Sequence, residues 1–525
     1  MDQPLTLCAL LERQCRERPG GLAFVEGERQ FSYTDLAARA RGAAAWLAAQ
    51  GIGPGDRVAV WLVNRHEWLA LLFGLASLGA TLVAVNTRFR SAEIEYLLTR
   101  SKARLLVMQR EFRGIDFGAI LGGVDARKVP AVADIGAALD WDARVPAAQG
   151  AHPDALAATF TTSGTTRGPK LVMHPQRTLA LHAQRVAHAL GFDQPGARLL
   201  GVMPYCGVFG LCAGLGALAG GAPIVNLDAA EGSVAADLVR QHSITHMFAS
   251  DELYRRMAEA VEGHDPFPSA RLFGYAAFQP GALELARAAW ARRIPLFGLY
   301  GSSELQALFS AQPAALPLDE RIEAGGRPVS PEAQVRVRDL ETGRLAAVGE
   351  SGEIEIRAPT SFVGYLGDPQ ASAEALTEDG FFRTGDVGRV RADGTFVYET
   401  RKGDAIRLGG FLVNPAEIED LLKRVPGIAD AQVTAVEMGG QLRCVAFAIP
   451  AAGGSPAEAD VVSAARRIMA GYKVPARVWF VDAFPVTQSA NGTKIQRARL
   501  REMARERLAP APAPNSVPRN ARAAD

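Results

Sequence analysis

The hydrophobic pattern of the first 110 residues alternates between short apolar runs and amphipathic segments. DRVAVWLV and ATLVAVN are typical of buried strands, whereas HEWLALLFGLASLGA repeats its apolar residues at helical spacing. DLAARARGAAAWLAAQG predicts a further helix, which Gly51 ends. Strands and helices in alternation predict an α/β fold with doubly wound, parallel sheets.

The pattern continues from residue 155 to 300 and then changes. RLLGVMP, APIVNLD, ITHMFAS and IPLFGLYG predict strands of the same α/β kind. The short runs QVRVRD, GEIEIR and GTFVYET predict a β-rich subdomain over about 325–400. Beyond residue 404, AEIEDLLKRVPGIADAQVTAV and QLRCVAFAIP predict a helix and two strands of a small α+β domain. Residues 111–154 carry no prediction.

These patterns divide the chain into a large domain and a small one. We predict a large N-terminal domain over residues 1–402, which includes the β-rich subdomain, and a small α+β domain over 403–507. The tail 508–525 is rich in proline and alanine and is predicted to be disordered. A chain of 525 residues with 48% hydrophobic residues can form more than one full core.

Charge and cysteine usage favour a cytoplasmic enzyme. The net charge is +1 and no long run of one sign occurs, so neither nucleic acid nor an anionic membrane is an evident partner. The chain begins without a secretory pattern, and no apolar run reaches the roughly 20 residues of a membrane span. Five scattered cysteines without a CxxC pair predict reduced thiols. His242 and His246 lack the companion glutamate of a metalloprotease helix, so we expect no metal there.

The run FTTSGTTRGPKLVMH, residues 160–174, concentrates glycine and hydroxyl residues before Lys170. Such a loop can turn backbone N–H groups and hydroxyls toward an anion, and the lysine adds a positive charge. It is not the nucleoside-triphosphatase P-loop, because Pro169 precedes the lysine and Leu171 follows it. Taken alone, the run is equally compatible with a surface turn.

Four further motifs accompany this run: YGSSE (300–304), GFFRTGDVG (380–388), RKGDAIRLGGFLVNPAEIE (401–419) and NGTKIQR (491–497). In this order and spacing, the five motifs closely resemble those of adenylate-forming enzymes, the superfamily of acyl-CoA synthetases, peptide-synthetase adenylation domains and luciferases. The resemblance covers residues from about 20 to 500. Taken singly, Asp386 could be a turn residue and Tyr300 a core aromatic.

The resemblance implies roles for residues on the large domain. Lys170 and the hydroxyl-rich loop would bind the β- and γ-phosphates, Ser303 would touch the α-phosphate, and Glu304 would hold Mg²⁺. Tyr300 would stack on adenine, and Asp386 would accept hydrogen bonds from the ribose hydroxyls. The nucleotide-binding set that the resemblance implies is completed by Thr162, Ser163, Gly164, Thr165, Thr166, Gly301 and Arg401.

The resemblance also implies that the small domain rotates between two half-reactions. Lys494 would bridge the substrate carboxylate and the α-phosphate while acyl-AMP forms. After a hinge motion at Gly403, the face that carries Gly409, Gly410 and Phe411 would admit the thiol arm of CoA. The hinge residue is normally aspartate or lysine in the family, and glycine permits the same change in backbone angles.

The segment PYCGVFGLCAGLGA, residues 204–217, occupies the acid-binding position of the family. It contains no carboxylate to pair an ammonium group, so an α-amino acid is disfavoured as substrate. The predicted acyl pocket is apolar and favours a fatty, alicyclic or aryl acid; its residues are Tyr205, Gly207, Val208, Phe209, Leu211, Cys212, Tyr275, Ala276 and Leu299. Two positions depart from the family pattern: Gly207, where an aromatic residue is usual, and Gly298, where a base-contacting amide is usual.

These interpretations predict an ATP- and Mg²⁺-dependent acid–CoA ligase that works through acyl-AMP, and they are compatible with a homodimer. One alternative is a stand-alone adenylating enzyme that loads a carrier-protein thiol. Another is an inactive relative that only binds nucleotide or acyl-AMP, although the retained Lys170, Glu304, Asp386 and Lys494 disfavour it.

Overall fold

The structure of the chain is a computed structural model. It describes residues 5–135, 151–162, 169–229, 231–276, 282–340, 342–402, 406–408, 411–413, 415–489 and 492–508. The predicted tail, except Leu508, lies outside these ranges. Within them, no helix combines the length and the apolar character that crossing a membrane requires.

The first part of the chain, up to residue 135, folds as alternating strands and helices, as predicted for its first 110 residues. Its strands are β1 (Leu22–Glu26), β2 (Arg29–Ser32), β3 (Arg57–Trp61), β4 (Thr81–Ala84), β5 (Leu105–Met108), β6 (Glu111–Phe112), β7 (Ile115–Asp116) and β8 (Ala131–Asp134). Its helices are α1 (Leu7–Glu17), α2 (Tyr33–Ala49), α3 (His66–Ser77), α4 (Ser91–Ser101) and α5 (Phe117–Gly122).

The second part, from residue 151 to 311, repeats the same alternation. Its strands are β9 (Leu156–Thr162), β10 (Lys170–Pro175), β11 (Leu199–Gly201), β12 (Ile224–Asn226), β13 (His246–Ser250), β14 (Leu272–Ala276), β15 (Leu296–Ser302) and β16 (Gln306–Ala311). Its helices are α6 (Gln176–Ala189), α7 (Val208–Gly220), α8 (Gly232–Gln241), α9 (Asp251–Glu259) and α10 (Ala282–Ala291).

The third part contains the predicted β-rich segment. Its elements are α11 (Leu318–Arg321), β17 (Gly325–Pro328), β18 (Gln334–Arg338), β19 (Gly352–Arg357), α12 (Pro369–Glu374), β20 (Phe382–Val390) and β21 (Phe396–Arg401). These strands do not form a separate sheet, because β17 pairs with β16 and so extends the larger sheet.

Two sheets form the large part of the molecule. One has six strands in the order β10-β9-β4-β3-β5-β8, and all of its pairings are parallel except that of β9 with β10. The other has thirteen strands in the order β18-β19-β20-β21-β17-β16-β15-β14-β13-β11-β12-β1-β2. Helices α2, α3, α6 and α7 pack between and around the sheets and bury one continuous apolar core. The predicted doubly wound α/β architecture is thus confirmed, with antiparallel extensions at the sheet edges.

The small C-terminal part is an α+β unit with its own core. Its elements are β22 (Ile406–Leu408), β23 (Phe411–Val413), α13 (Pro415–Leu422), β24 (Ile428–Met438), β25 (Gln441–Pro450), α14 (Glu458–Ile468), β26 (Arg477–Phe480), β27 (Val486–Ser489), β28 (Gly492–Ile495) and α15 (Arg497–Leu508). Strands β24, β25 and β26 form its central sheet.

The small part touches the large one through polar contacts near α4 and α9. Lys473 Nζ lies 2.6 Å from Glu93 Oε1, and both side chains are 5% exposed. The guanidinium of Arg88 lies 5.9 Å from the ring centre of Tyr472. Gln441 Nε2 donates a 3.5 Å hydrogen bond to Glu252 Oε1 on α9. A buried ion pair therefore joins the two parts.

Candidate active site

One cavity of about 560 Å³ opens where the ends of β9, β10, β15 and β20 meet the first turn of α7. The family-like motifs YGSSE and GFFRTGDVG meet here, although 76 or more residues separate them along the chain. In α/β sheets, loops at the carboxyl ends of strands form the usual ligand crevice. Tyr472 and Lys473 of the small part also line this cavity.

Tyr300 and Asp386 lie together in one wall of the cavity. Tyr300 Oη donates a 2.6 Å hydrogen bond to Asp386 Oδ2, and both residues are buried. The Tyr300 ring packs edge-on against Phe396, with ring centres 5.2 Å apart. The Asp386 carboxylate is thus held by a neighbouring hydroxyl in a position where it can accept from a second one.

Glu304 is buried in the same wall, in the turn between β15 and β16. Its Oε1 accepts a 2.9 Å hydrogen bond from Tyr365 Oη, and its backbone oxygen accepts from Phe362 N at 2.7 Å. Lys170 Nζ lies 4.5 Å from the centre of the Tyr365 ring. One tyrosine that the sequence analysis did not single out thus contacts both charged residues.

Two buried histidines support the loop that carries Ser303 and Glu304. His174 Nε2 lies 2.7 Å from the backbone oxygen of Ser303, and His182 Nε2 lies 2.7 Å from the backbone oxygen of Ala307. Burial lowers the pKa of each imidazole to about 4, against the opposing effect of its backbone hydrogen bond. Both rings are therefore neutral at pH 7, and each must donate from Nε2 because a carbonyl oxygen only accepts.

Gln306 continues this support with an unusual backbone. Its φ is +67°, in the left-handed region that non-glycine residues rarely adopt. The side-chain nitrogen Nε2 of Gln306 donates to the backbone oxygen of Thr178 at 3.0 Å and to the backbone oxygen of Thr360 at 2.9 Å. Strain of this kind persists where surrounding contacts over-determine the conformation, as they do here.

An apolar wall forms part of the cavity. It comes from the end of β9, the residues before α7, the first turn of α7, β14, β15 and the start of β16. It is lined by Phe160, Met203, Pro204, Cys206, Gly207, Val208, Phe209, Gly210, Ala276, Leu299, Ala307 and Leu308. None of these residues carries a charge, so a charged substituent on a bound acid would have to reach Lys170, Arg383 or Lys473, which line the same cavity.

Several residues of the predicted acyl pocket lie behind this wall rather than on it. Tyr205 packs against Trp68, with ring centres 5.7 Å apart, and Tyr275 Oη bonds the Ile322 oxygen. Cys212 Sγ lies 3.7 Å from Gln306 Oε1 in the core, and Leu211 is likewise buried. By contrast, Gly207, Val208, Phe209, Ala276 and Leu299 do line the cavity.

The two departures from the family pattern have different physical reasons. A Cβ on Gly298 would lie 1.8 Å from the Glu323 oxygen, so this backbone admits no side chain there. A Cβ on Gly207 would meet only the Pro204 oxygen, at 3.6 Å, which is ordinary contact. Gly207 therefore leaves open space at the cavity wall, whereas Gly298 is required by close packing.

Other predicted residues fall partly or wholly outside the described structure. Of the phosphate loop, Thr162 and Lys170 line the cavity, whereas Ser163, Gly164, Thr165 and Thr166 lie outside the described residues. Gly403, Gly409 and Gly410 also lie outside the described residues. The backbones of Arg401, Phe411 and Lys494 are described. In the antiparallel pairing of β20 with β21, Arg401 lies opposite Asp386. Gly301 and Ser303 line the cavity.

Burial raises the pKa of cysteine thiols, and hydrogen bonds engage the ring of His246. All five cysteines are free thiols. Burial raises the pKa of Cys206 to about 11 and that of Cys212 to about 12. His246 Nε2 bonds the Leu190 oxygen at 2.8 Å, and its Nδ1 lies 2.7 Å from Thr245 Oγ1, so both nitrogens are engaged.

Comparison with known proteins agrees with this arrangement of motifs. The family described as AMP-binding enzyme matches residues 11–366, which is more than half of the chain, and its C-terminal domain matches residues 417–491. The chain belongs to the AMP-binding enzyme family. In agreement with this family, it is an AMP-forming acid–thiol ligase.

Named relatives of this AMP-binding enzyme include ligases for ring-containing acids. It is 30% identical to a 7a-methyl-1,5-dioxo-octahydro-1H-inden-4-yl propanoyl:CoA ligase of Rhodococcus jostii, over 95% of this chain and 99% of that protein. It is 31% identical to a 3-hydroxybenzoate–CoA ligase of Aromatoleum, over 92% and 93%. An o-succinylbenzoate CoA synthetase from Bacillus subtilis has the same fold, with a TM-score of 0.82, 23% identity and coverage of 94% and 98%.

Proposed function

We propose that this AMP-binding enzyme activates an apolar, ring-containing monocarboxylic acid with MgATP and transfers the acyl group to CoA. The observation that carries the proposal is that one cavity combines polar groups with an apolar wall. Tyr300, Glu304 and Asp386 line it together with that wall. An acid whose carboxylate lies near the polar groups would present its apolar body to the wall.

Adenylation requires two anions to approach each other, so positive charge should dominate its catalysis. Lys170 lines the cavity and supplies such a charge next to the phosphate loop. Lys494 is proposed to supply another from the small domain during this step. A mixed anhydride with AMP then offers a leaving group that a thiol can displace, which a free carboxylate does not.

Glu304 fits the role of a Mg²⁺ ligand. Its carboxylate lies in the cavity wall, and carboxylate oxygens are the ligands that Mg²⁺ prefers. When bound, the ion would neutralise charge on the phosphates. The chain needs such a residue, because the P-loop hydroxyl that usually contacts this ion is replaced here by Leu171.

The apolar wall of the cavity supports the acid class. The residues of this wall include no carboxylate to pair an amino-acid ammonium, and the cations of the cavity, Lys170, Arg383 and Lys473, are not among them. Relatives act on hydroxybenzoate and on an indenyl-propanoic acid, which are acids with a ring. Aromatic and alicyclic monoacids therefore fit this wall best, with fatty acids as the second candidate.

The experiment is acid-dependent pyrophosphate release across benzoate, hydroxybenzoates, alicyclic propanoic acids and straight-chain fatty acids. We expect the highest kcat/KM with a ring-containing monoacid and CoA-dependent release of AMP. An amino acid or a diacid as the best substrate would contradict the assignment. A carrier-protein thiol offered in parallel with CoA tests the alternative acceptor, and no release with any acid would favour the binding-only alternative.

A further inference from the structure

The segment 362–366 lies beside the cavity and hydrogen-bonds to two separate parts of the chain that line it. On one side it pairs with β10: Met173 N donates to the Gly364 oxygen at 3.0 Å, and Leu366 N donates to the Leu171 oxygen at 2.8 Å. On the other side, Phe362 N donates to the Glu304 oxygen at 2.7 Å. Backbone hydrogen bonds thus fix the segment against both β10 and the loop after β15.

Tyr365 is the residue of this segment whose side chain reaches the charged groups. It is 5% exposed and lines the cavity. Its hydroxyl donates to Glu304 Oε1 at 2.9 Å, and the Lys170 ammonium lies 4.5 Å from its ring centre. A cation over an aromatic face within about 6 Å is attracted by the ring. One rigid side chain therefore contacts the carboxylate and the ammonium at the same time.

Glutamate and lysine side chains have several rotatable bonds, and holding them in one geometry costs conformational entropy. Tyrosine has only two side-chain torsions, and the Tyr365 ring is fixed further by Phe362, with ring centres 5.0 Å apart. Contacts to such a ring limit where Glu304 and Lys170 can move. A site that grips a metal-bound phosphate needs its anionic and cationic groups preorganised in this way.

We propose that Tyr365 is a positioning residue that sets the separation of Glu304 and Lys170, and so tunes the enzyme for nucleotide with bound Mg²⁺ over free nucleotide. The inference rests on the proposed function, because it takes Glu304 as the Mg²⁺ ligand. The Tyr365 hydroxyl orients the Glu304 carboxylate, which would hold the metal. The Tyr365 ring orients the Lys170 ammonium, which would bind the phosphates. Removing the hydroxyl alone should weaken only the metal-dependent part of binding.

The test separates the two contacts with two variants. Tyr365→Phe keeps the ring and loses the hydrogen bond to Glu304, whereas Tyr365→Leu also loses the ring over Lys170. The backbone hydrogen bonds of residues 362–366 involve no side chain of Tyr365 and remain in both. Tyr254→Phe is the matched control, because Tyr254 is buried and donates to two backbone oxygens in the core outside the cavity, at 2.8 and 3.1 Å.

The measurement is calorimetric binding of a non-hydrolysable ATP analogue, with Mg²⁺ and with EDTA, alongside thermal unfolding. We expect Tyr365→Phe to weaken binding about tenfold with Mg²⁺, as loss of a hydrogen bond to a charged group does, and to leave binding in EDTA unchanged. Tyr365→Leu should weaken both, and Tyr254→Phe neither. Equal weakening in Mg²⁺ and in EDTA for Tyr365→Phe, or wild-type binding in both, would overturn the proposal.

Glu304→Gln distinguishes this inference from the proposed function. If Glu304→Gln binds the analogue with an undiminished Mg²⁺ effect, Glu304 is not the metal ligand and the proposed metal site fails. If Glu304→Gln loses the Mg²⁺ effect while Tyr365→Phe retains it, the metal site stands and only the role of Tyr365 is wrong. Loss of the effect in both variants, with unchanged unfolding temperatures, supports both.

Discussion

The large and small parts of this enzyme contribute to one cavity by different means. In the large part, Tyr300 and Asp386 lie on strands of one continuous sheet and are held by buried hydrogen bonds. The small part reaches the cavity with Tyr472 and Lys473, and its contact with α4 includes a buried ion pair. The first kind of attachment fixes side chains in place, and the second is the one that the proposed rotation of the small domain would have to break.

The two kinds of attachment differ in the free energy that is lost when the attached parts separate. Breaking a strand pair or exposing an apolar core loses hydrogen bonds and buried area. Separating Lys473 from Glu93 instead returns both charges to water, which recovers the hydration that burial had cost. An interface built on such a pair can therefore hold one arrangement without preventing another, which is what a rotating domain requires.

The largest effect is expected for Lys494 on the small part. Lys494→Ala should slow acyl-AMP formation by about 10² or more, because it removes one preorganised charge from the meeting of two anions. Thioester formation from synthetic acyl-AMP and CoA should be largely spared. Paired single-turnover assays measure the two steps. Lys423→Ala, which removes an exposed lysine from the same part of the chain, is the control. Equal slowing of both steps would contradict the alternation of domains.

The next effect concerns the interface itself. Glu93→Gln should reduce the docked population more than tenfold, because the buried Lys473 ammonium loses its countercharge. Spin labels at Thr99→Cys and Arg466→Cys, on exposed positions of α4 and α14, would report a broadened distance distribution. Glu95→Gln, on the same helix but paired with Lys128 of the large part, should leave it unchanged. A distribution unaltered by Glu93→Gln would show that the ion pair does not hold the domain.

A smaller effect is expected in the apolar wall. The Leu299 side chain covers Gly274, since a Cβ added there would lie 2.6 Å from Leu299 Cδ1. Leu299→Gly should therefore open space toward Gly274 and shift kcat/KM several-fold toward bulkier acids. Leu253→Ala, a core truncation in α9, controls for lost stability. An unchanged ranking of acids in Leu299→Gly would remove Leu299 from the acid-binding wall.

The smallest effect is a pH response inside the large part. Burial alone would lower the pKa of His66, but hydrogen bonds and charge from Glu26 and Glu67 raise it above its usual 6.5. A raised pKa stabilises the fold most below pH 6.5, and this contribution is lost as pH rises through the shifted value. His66→Gln should therefore cost more unfolding free energy at pH 6 than at pH 8.5, by on the order of 1 kcal/mol. Equal costs in urea titrations at both pH values would contradict this.

The strands and helices were largely predictable because their apolar spacing is local. β3, β4, β11, β12 and β13 each lie within a predicted run. Which residues of α7 face the cavity could not be predicted, because this helix is apolar on all sides and buried on most of them. Val208 and Phe209 line the cavity, whereas Leu211 and Cys212 point into the core, and only tertiary packing decides between them.

The missed residues of the site share one property. Tyr365 lies 61 positions from Glu304 along the chain, and His174 lies 129 positions from Ser303. Neither has a local pattern that distinguishes it from an ordinary core residue, because its partner is defined only by the fold. The GPK ending of the phosphate loop and the YGSSE turn were recognisable because several of their residues act together within a few positions.

Glu93 has two carboxylate oxygens and a separate task for each. One accepts from Lys473, and the other accepts from Arg90 N at 2.9 Å at the start of α4. If the small domain departs, the second bond still closes the first turn of the helix, so α4 need not fray when its partner leaves. The surface of α4 that contacts the small domain would then stay folded while the domain is away, so re-docking would not require the helix to refold first.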